Sequence, residues 1–247
     1  MNENTLEKNK INQFILRIDL PKDSPVDFRK LALDLQGEYV RLIENVEHNV
    51  NINFNTDEVT KRDFTNYTLV ADNGIKLIMN TVGKTISIET TSYIDNSVYD
   101  DRLDSIINKI NAQGIPNVMA ARIGMRYINL FPCDRKESIK KILQKPNDKA
   151  IIDSLSKQNL NRSVFVEQFN CEGYYIRVQY GVVNKFYPAV ISNLDITLDI
   201  TLDIDVYYGG LQSIENWKEV IRTYNHAAFV KFKEYVEPDF INSMRNE

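Results

Sequence analysis

Cysteine, histidine and long apolar runs are all scarce in this chain, and each shortage removes a class of protein. Cys133 and Cys171 are its two cysteines, and His48 and His226 its two histidines, in 247 residues. Two isolated thiols build neither a disulfide framework nor a zinc site, so a reducing cytoplasm is the expected compartment. The histidines lie far apart, and no His/Cys/Asp/Glu spacing matches a zinc motif. No segment approaches the roughly 20 consecutive apolar residues that span a bilayer, so no membrane partner is expected. The opening MNENTLEKNKINQ lacks the apolar stretch of a signal peptide. A basic surplus is missing too. Lys and Arg number 30 against 34 Asp and Glu, a net charge of -4, which disfavours a general nucleic-acid binder. The glycine-rich phosphate loop, the dinucleotide fingerprint and the G-x-S-x-G elbow are all absent. Nucleotide hydrolases, Rossmann enzymes and α/β-hydrolases therefore lose their sequence support.

What is present is patterned for a folded protein. Hydrophobic residues make up 43%, enough for a sizeable core in one large domain or two small ones. Phe14 to Pro21 alternates apolar and polar and predicts a strand. Asp27 stands at an N-cap position, with Phe28, Leu31, Leu35 and Tyr39 behind it at helical spacing. Val50 to Asn55 predicts a short strand. Three more follow between Asn66 and Ile94, separated by Asp72-Asn73-Gly74 and Val82-Gly83-Lys84. Leu103, Ile106, Ile107 and Ile110 then mark an amphipathic helix that Gly114 and Pro116 end. The second half repeats the order: a strand to Pro132, a helix over 135–145, a helical stretch near 148–157, three strands, and a long helix from about Ser213. The prediction is an α+β fold, mainly antiparallel sheets with helices on one face, duplicating a β-α-β-β-β-α unit. A polar N-terminal arm (1–12) precedes a first half (13–116) and a second half (117–247), packed as one compact unit. One continuous sheet wrapped around a helix is the competing arrangement.

Two stretches carry the candidate chemistry. In LDITLDITLDID (Leu194 to Asp205), every second residue is apolar, and residues two apart lie ~6.6 to 6.8 Å apart on one face. Asp195, Asp199, Asp203 and Asp205 therefore share a face. Asp203 and Asp205 are close enough to bridge a divalent cation, given a third carboxylate from elsewhere. The plainer alternative is the wet side of a half-exposed strand. In RIGMRYIN (Arg122 to Asn129), Arg122, Gly124 and Arg126 share one face, which suits an anion or a row of carboxylates on a neighbouring strand. An unpaired guanidinium inside a packed sheet is costly, so Arg126 is expected to pair with Asp203 or Asp205. Tyr174, Ile176, Val178 and Tyr180 form a third row, in which aromatics could stack single-stranded bases.

At RIGMRYIN the chain resembles a sporadically distributed family of conserved hypothetical bacterial proteins of similar length. That family's central motif runs Arg, Ile/Leu, Gly, Leu/Met, Arg, Tyr, Ile/Val, Asn. Thr91 and Tyr93 fit its T-x-Y, Asp203 to Asp205 its D-I-D strand, and His226, Phe229 and Phe232 its last helix. The chain departs from the pattern in its extended LDIT run. The resemblance implies no established activity, but sporadic distribution suggests defence or mobile loci. The expectation is a non-enzymatic binding or accessory protein, a regulatory partner in a bacterial defence or toxin–antitoxin-like system. Arg122, Arg126, Tyr127, Asn129, Asp203 and Asp205 are its candidate binding residues. A protein partner is expected and a homodimer is plausible, with no cofactor. The alternatives are a metal-dependent nuclease or phosphotransfer enzyme using Asp203 and Asp205, and a nucleic-acid binding module.

Overall fold

The computed structural model describes residues 11–53, 58–95, 99–115, 117–133, 136–144, 153, 160, 162–184, 188 and 198–244. Its strands are β1 (Ile11–Asp19), β2 (Arg41–Asn53), β3 (Glu58–Val70), β4 (Lys76–Asn80), β5 (Thr85–Thr90), β6 (Met119–Pro132), β7 (Arg162–Cys171), β8 (Tyr174–Asn184) and β9 (Leu198–Ser213). Its helices are α1 (Phe28–Leu35), α2 (Asp100–Asn111), α3 (Lys136–Ile142), α4 (Trp217–Tyr235) and α5 (Pro238–Ser243). The fold is α+β, as expected. The strands form one nine-stranded sheet rather than several, in the order β2-β3-β4-β5-β1-β6-β9-β8-β7. Every neighbouring pair is antiparallel. β1 lies directly against β6, from Ile11 opposite Asn129 to Asp19 opposite Arg122, so the sheet runs unbroken from one half of the chain into the other.

The helices pack to one side because both partners have an apolar row. Asp27 caps α1, its Oδ1 accepting from the Lys30 amide at 3.0 Å. Phe28, Leu31, Ala32 and Leu35 are buried behind it. The helix stops at Leu35 rather than running to Tyr39, and Gln36–Glu38 tightens into a 3-10 turn around Gly37. α2 buries the four residues its spacing predicted. α4 buries Trp217, Ile221, Tyr224, Ala228 and Phe232 over β6 and β9. Facing them in the core are Phe14, Leu16 and Ile18 of β1, Ile123 and Met125 of β6, and Ile200, Leu202, Ile204 and Val206 of β9.

Two regions differ from expectation. β2 and β3 are 13 residues each, far longer than the short strands predicted at 50–55 and from Asn66. They reach beyond the helices as a two-stranded ribbon, and most of the described β2 side chains are exposed. A strand wet on both sides has no reason to alternate, which hid Arg41–His48 from the pattern. α5 begins at Pro238, a residue suited to a first helical position, and was not foreseen. The helical stretch expected near 148–157 falls outside the described residues except for Asp153, which is helical. Asp195 and the other residues before Leu198 in the acidic run also lie outside them. Among the described residues no helix is long and apolar enough to cross a membrane.

Candidate functional site: the arginine–aspartate face of the sheet

Alternation along β6 separates two sets of side chains. Ile123, Met125, Tyr127, Asn129 and Phe131 lie on the helix side, whereas Arg122, Gly124, Arg126, Ile128 and Leu130 lie on the other face. The register brings Arg126 opposite Asp205 and Ile128 opposite Asp203 on β9. β8 completes the patch, with Arg177 opposite Asp205, Gln179 opposite Asp203 and Tyr175 opposite Tyr207.

Arg126 grips Asp203 with two parallel bonds. Its Nε donates to Oδ1 at 2.9 Å and its Nη2 to Oδ2 at 2.6 Å. Gln179 Nε2 adds a longer bond to the same Oδ2 at 3.4 Å. This is the ion pair expected from the cost of an unpaired guanidinium. The Asp203 side chain is 0% exposed and that of Arg126 28%. A bidentate, charge-assisted pair is the geometry that allows such burial.

Arg122 takes a different route. Its direct partner across the ladder is Gly209, yet its Nη2 reaches along β9 to Oδ2 of Asp205 at 3.1 Å. On the way its guanidinium lies over the Tyr207 ring, 4.6 Å from the centroid. Gly124 makes that path possible. A Cβ there would stand 3.1 Å from the Tyr207 Cβ and 3.4 Å from Arg122 Nη2. Tyr207 in turn stacks on Tyr175 with ring centroids 5.6 Å apart. The R-x-G-x-R spacing therefore sets two arginines on two aspartates with a glycine as clearance.

Electrostatics distinguish the two carboxylates. Burial pushes the Asp205 carboxyl above its ordinary range. Arg122 and Arg126 oppose that shift, Asp203 adds to it, and Arg177 opposes it weakly. Arg122 Nε is buried and has no hydrogen-bond partner among the described residues. The exposed Arg177 guanidinium stands at the rim. Among the described residues no group of three or more His, Cys, Asp and Glu is placed to hold a metal ion.

The predicted set is divided by the sheet. Arg122, Arg126, Asp203 and Asp205 come together on the face away from the helices, where Asp203 and Ile128 are fully buried and Arg122 and Asp205 are half-buried. Tyr127 and Asn129 lie on the opposite side, beneath the helices. Tyr127 donates its hydroxyl proton to Asn225 Oδ1 of α4 at 3.1 Å and packs against Phe14 and Tyr93. Burial pushes the neighbouring Tyr93 phenol up to about 12, partly offset by its hydrogen bond to Tyr127. Asn129 Nδ2 donates to the Leu202 carbonyl at 2.9 Å and is buried. The Tyr174–Tyr180 row is also on the helix side. Ile176, Val178 and Tyr180 are core residues, so that row offers no stacking platform to a nucleic acid. Tyr175, Arg177, Gln179 and Tyr207 belong to the patch and were missed as members. Their shared parity with Asp203 and Asp205 follows from the β8–β9 register, which short-range patterns do not reveal. No family model matches the chain, and no curated protein matches it.

Proposed function

We propose that the chain is a non-enzymatic binding or accessory protein, and that its partner protein docks on the part-exposed end of this sheet face, over Arg122, Tyr207, Tyr175 and Arg177. The observation that carries this reading is the state of the carboxylates. Asp203 is closed on by Arg126 through both oxygens, and Asp205 is held by Arg122. Residues engaged this way serve to hold guanidinium groups in place rather than to ligate a metal or move protons. Arginine and tyrosine on a rigid sheet face are the residue types that anchor protein interfaces. The resemblance at Arg122–Asn129 adds the family context, a regulatory partner in a bacterial defence or toxin–antitoxin-like system. An internal duplication belongs to the same proposal. It is supported by the strand order, which reads outward from the β1–β6 pair as β5-β4-β3-β2 on one side and β9-β8-β7 on the other.

The test is affinity capture with tagged wild-type chain and the Arg177→Glu variant. Glu at this position stands opposite Asp205 and lowers stability, so capture is compared at a temperature where circular dichroism shows both chains folded. The expected result is that a protein captured by the wild type is lost with Arg177→Glu. Equal capture by both, or robust turnover by the purified chain alone, overturns the reading.

A further inference from the structure

Among the described residues the sheet ends on β2 at one edge and on β7 at the other. A terminal strand presents a row of unpaired backbone N–H and C=O groups that another strand readily takes up. β2 carries few of the usual guards. It has no proline and no lysine, runs 13 residues, and pairs with β3 in one unbroken register. Val46 in its middle is 55% exposed. We propose that two copies of the chain join edge to edge along β2, extending one sheet into the other about a twofold axis at Val46.

Among axes from Glu44 to His48, in the middle of the strand, symmetry and charge select that register. An antiparallel pair of identical edges that continues a sheet requires a twofold axis perpendicular to it. Such an axis keeps each face on its own side, so residues meet only residues of the same parity. An axis at Glu44 or Glu47 sets two identical carboxylates against each other, which is unfavourable. An axis at Asn45 sets Glu44 against Val46 and Glu47 against Ile43. An axis at His48 sets two imidazoles together. With the axis at Val46, valine meets valine, and Glu44 of each copy meets His48 of the other. His48 already contacts Asp63 of its own β3, Nδ1 to Oδ1 at 2.7 Å. The imidazole then lies between two carboxylates, in a row Asp63–His48–Glu44 that crosses the junction. β7 offers nothing equivalent. Its cation and carboxylate, Arg162 and Glu167, lie on opposite faces, and Glu167 already accepts from the hydroxyls of Tyr180 and Tyr235. β2 is separated from β6 by four strands, so this inference stands apart from the reading of the arginine–aspartate face.

Position-specific cross-linking tests it, in the full chain with Cys133→Ser and Cys171→Ser. Directly opposed residues in an antiparallel pair have Cα atoms about 4.5 to 5.5 Å apart, within disulfide range. Under mild oxidation Val46→Cys is expected to give a covalent dimer. Glu44→Cys and His48→Cys are each expected to give little alone but to cross-link when mixed. In the otherwise native chain, sedimentation is expected to show a dimer that Val46→Lys converts to monomer, with an unchanged far-UV circular dichroism spectrum. A monomer at about 100 µM, a concentration that populates even weak interfaces, overturns the proposal. So does a dimer that persists with Val46→Lys, or cross-linking as strong from Glu44→Cys alone as from Val46→Cys.

Discussion

Arg126 and Asp203 show how a single pair decides the character of a face. Asp203 is 0% exposed, so removing Arg126 takes the bidentate counter-charge from a buried carboxylate. Breaking a buried ion pair from one side costs ~3 to 5 kcal/mol, whereas exposed pairs are worth ~0 to 1 kcal/mol. Arg126 keeps partial exposure, which places Arg126→Met at the lower end, about 3 kcal/mol, by urea denaturation. The double variant with Asp203→Asn is expected to cost less than the sum of the two singles, because both remove the same contact. Asp205 behaves differently because burial outweighs its arginines and raises its carboxyl. A raised value means that folding favours the protonated form. That contribution is fully present below the ordinary carboxylate pKa and is lost as pH rises through the folded value. Asp205→Asn removes the dependence. Thermal melts at about pH 4 and about pH 7 are therefore expected to shift in favour of Asp205→Asn, relative to wild type, at the higher pH. A difference that moves the other way contradicts the burial account.

Elements were legible in the sequence where one side is wet and the other dry. β1, α1 and α2 each show the period that their burial demands, whereas β6 is buried on both faces around Ile128 and was read from its length and its closing Pro132. Arg126 could be assigned a carboxylate partner because the pairing depends on cost, not on topology. The β2–β3 ribbon was hidden because Glu44–His48 of β2 and Thr60–Asp63 of β3 are exposed on both faces. Tyr127 and Asn129 were grouped with the arginines because they are neighbours in one motif, although strand parity sends them to the other side of the sheet. Gly181 was equally silent. It sits in β8 at φ 149°, opposite Val164, where a Cβ would fall 2.2 Å from the Ser163 carbonyl oxygen and 2.9 Å from the Val164 Cα. These neighbours are backbone, so no rotamer change relieves the clash. Gly181→Ala must part β7 from β8, and is expected to cost about 3 kcal/mol in chemical denaturation. A near-neutral result would show that β7 is free to move outward.

At the scale of the molecule, what matters is the β1–β6 seam. Without it the chain would hold two smaller sheets, each with its own helices, and each could melt alone. With it, Phe14 of β1 packs against Tyr127 of β6 and Tyr99 at the start of α2, and Tyr127 bonds to α4. Elements from both halves thus share one buried cluster, which makes unfolding of one half costly to the other. The lone tryptophan gives a reporter on a single side of the seam. Trp217 opens α4 in the second half and is buried, while Leu77 lies on β4 in the first half and is fully buried. Leu77→Ala leaves a cavity worth about 2 to 5 kcal/mol. If the seam couples the halves, Trp217 fluorescence must report that entire loss, with a midpoint that coincides with far-UV circular dichroism. If the halves melt separately, fluorescence keeps its wild-type midpoint while circular dichroism gains an earlier step. The shared aromatic cluster predicts the first outcome, since Phe14 and Tyr127 cannot lose each other without exposing the core that α2 and α4 both cover.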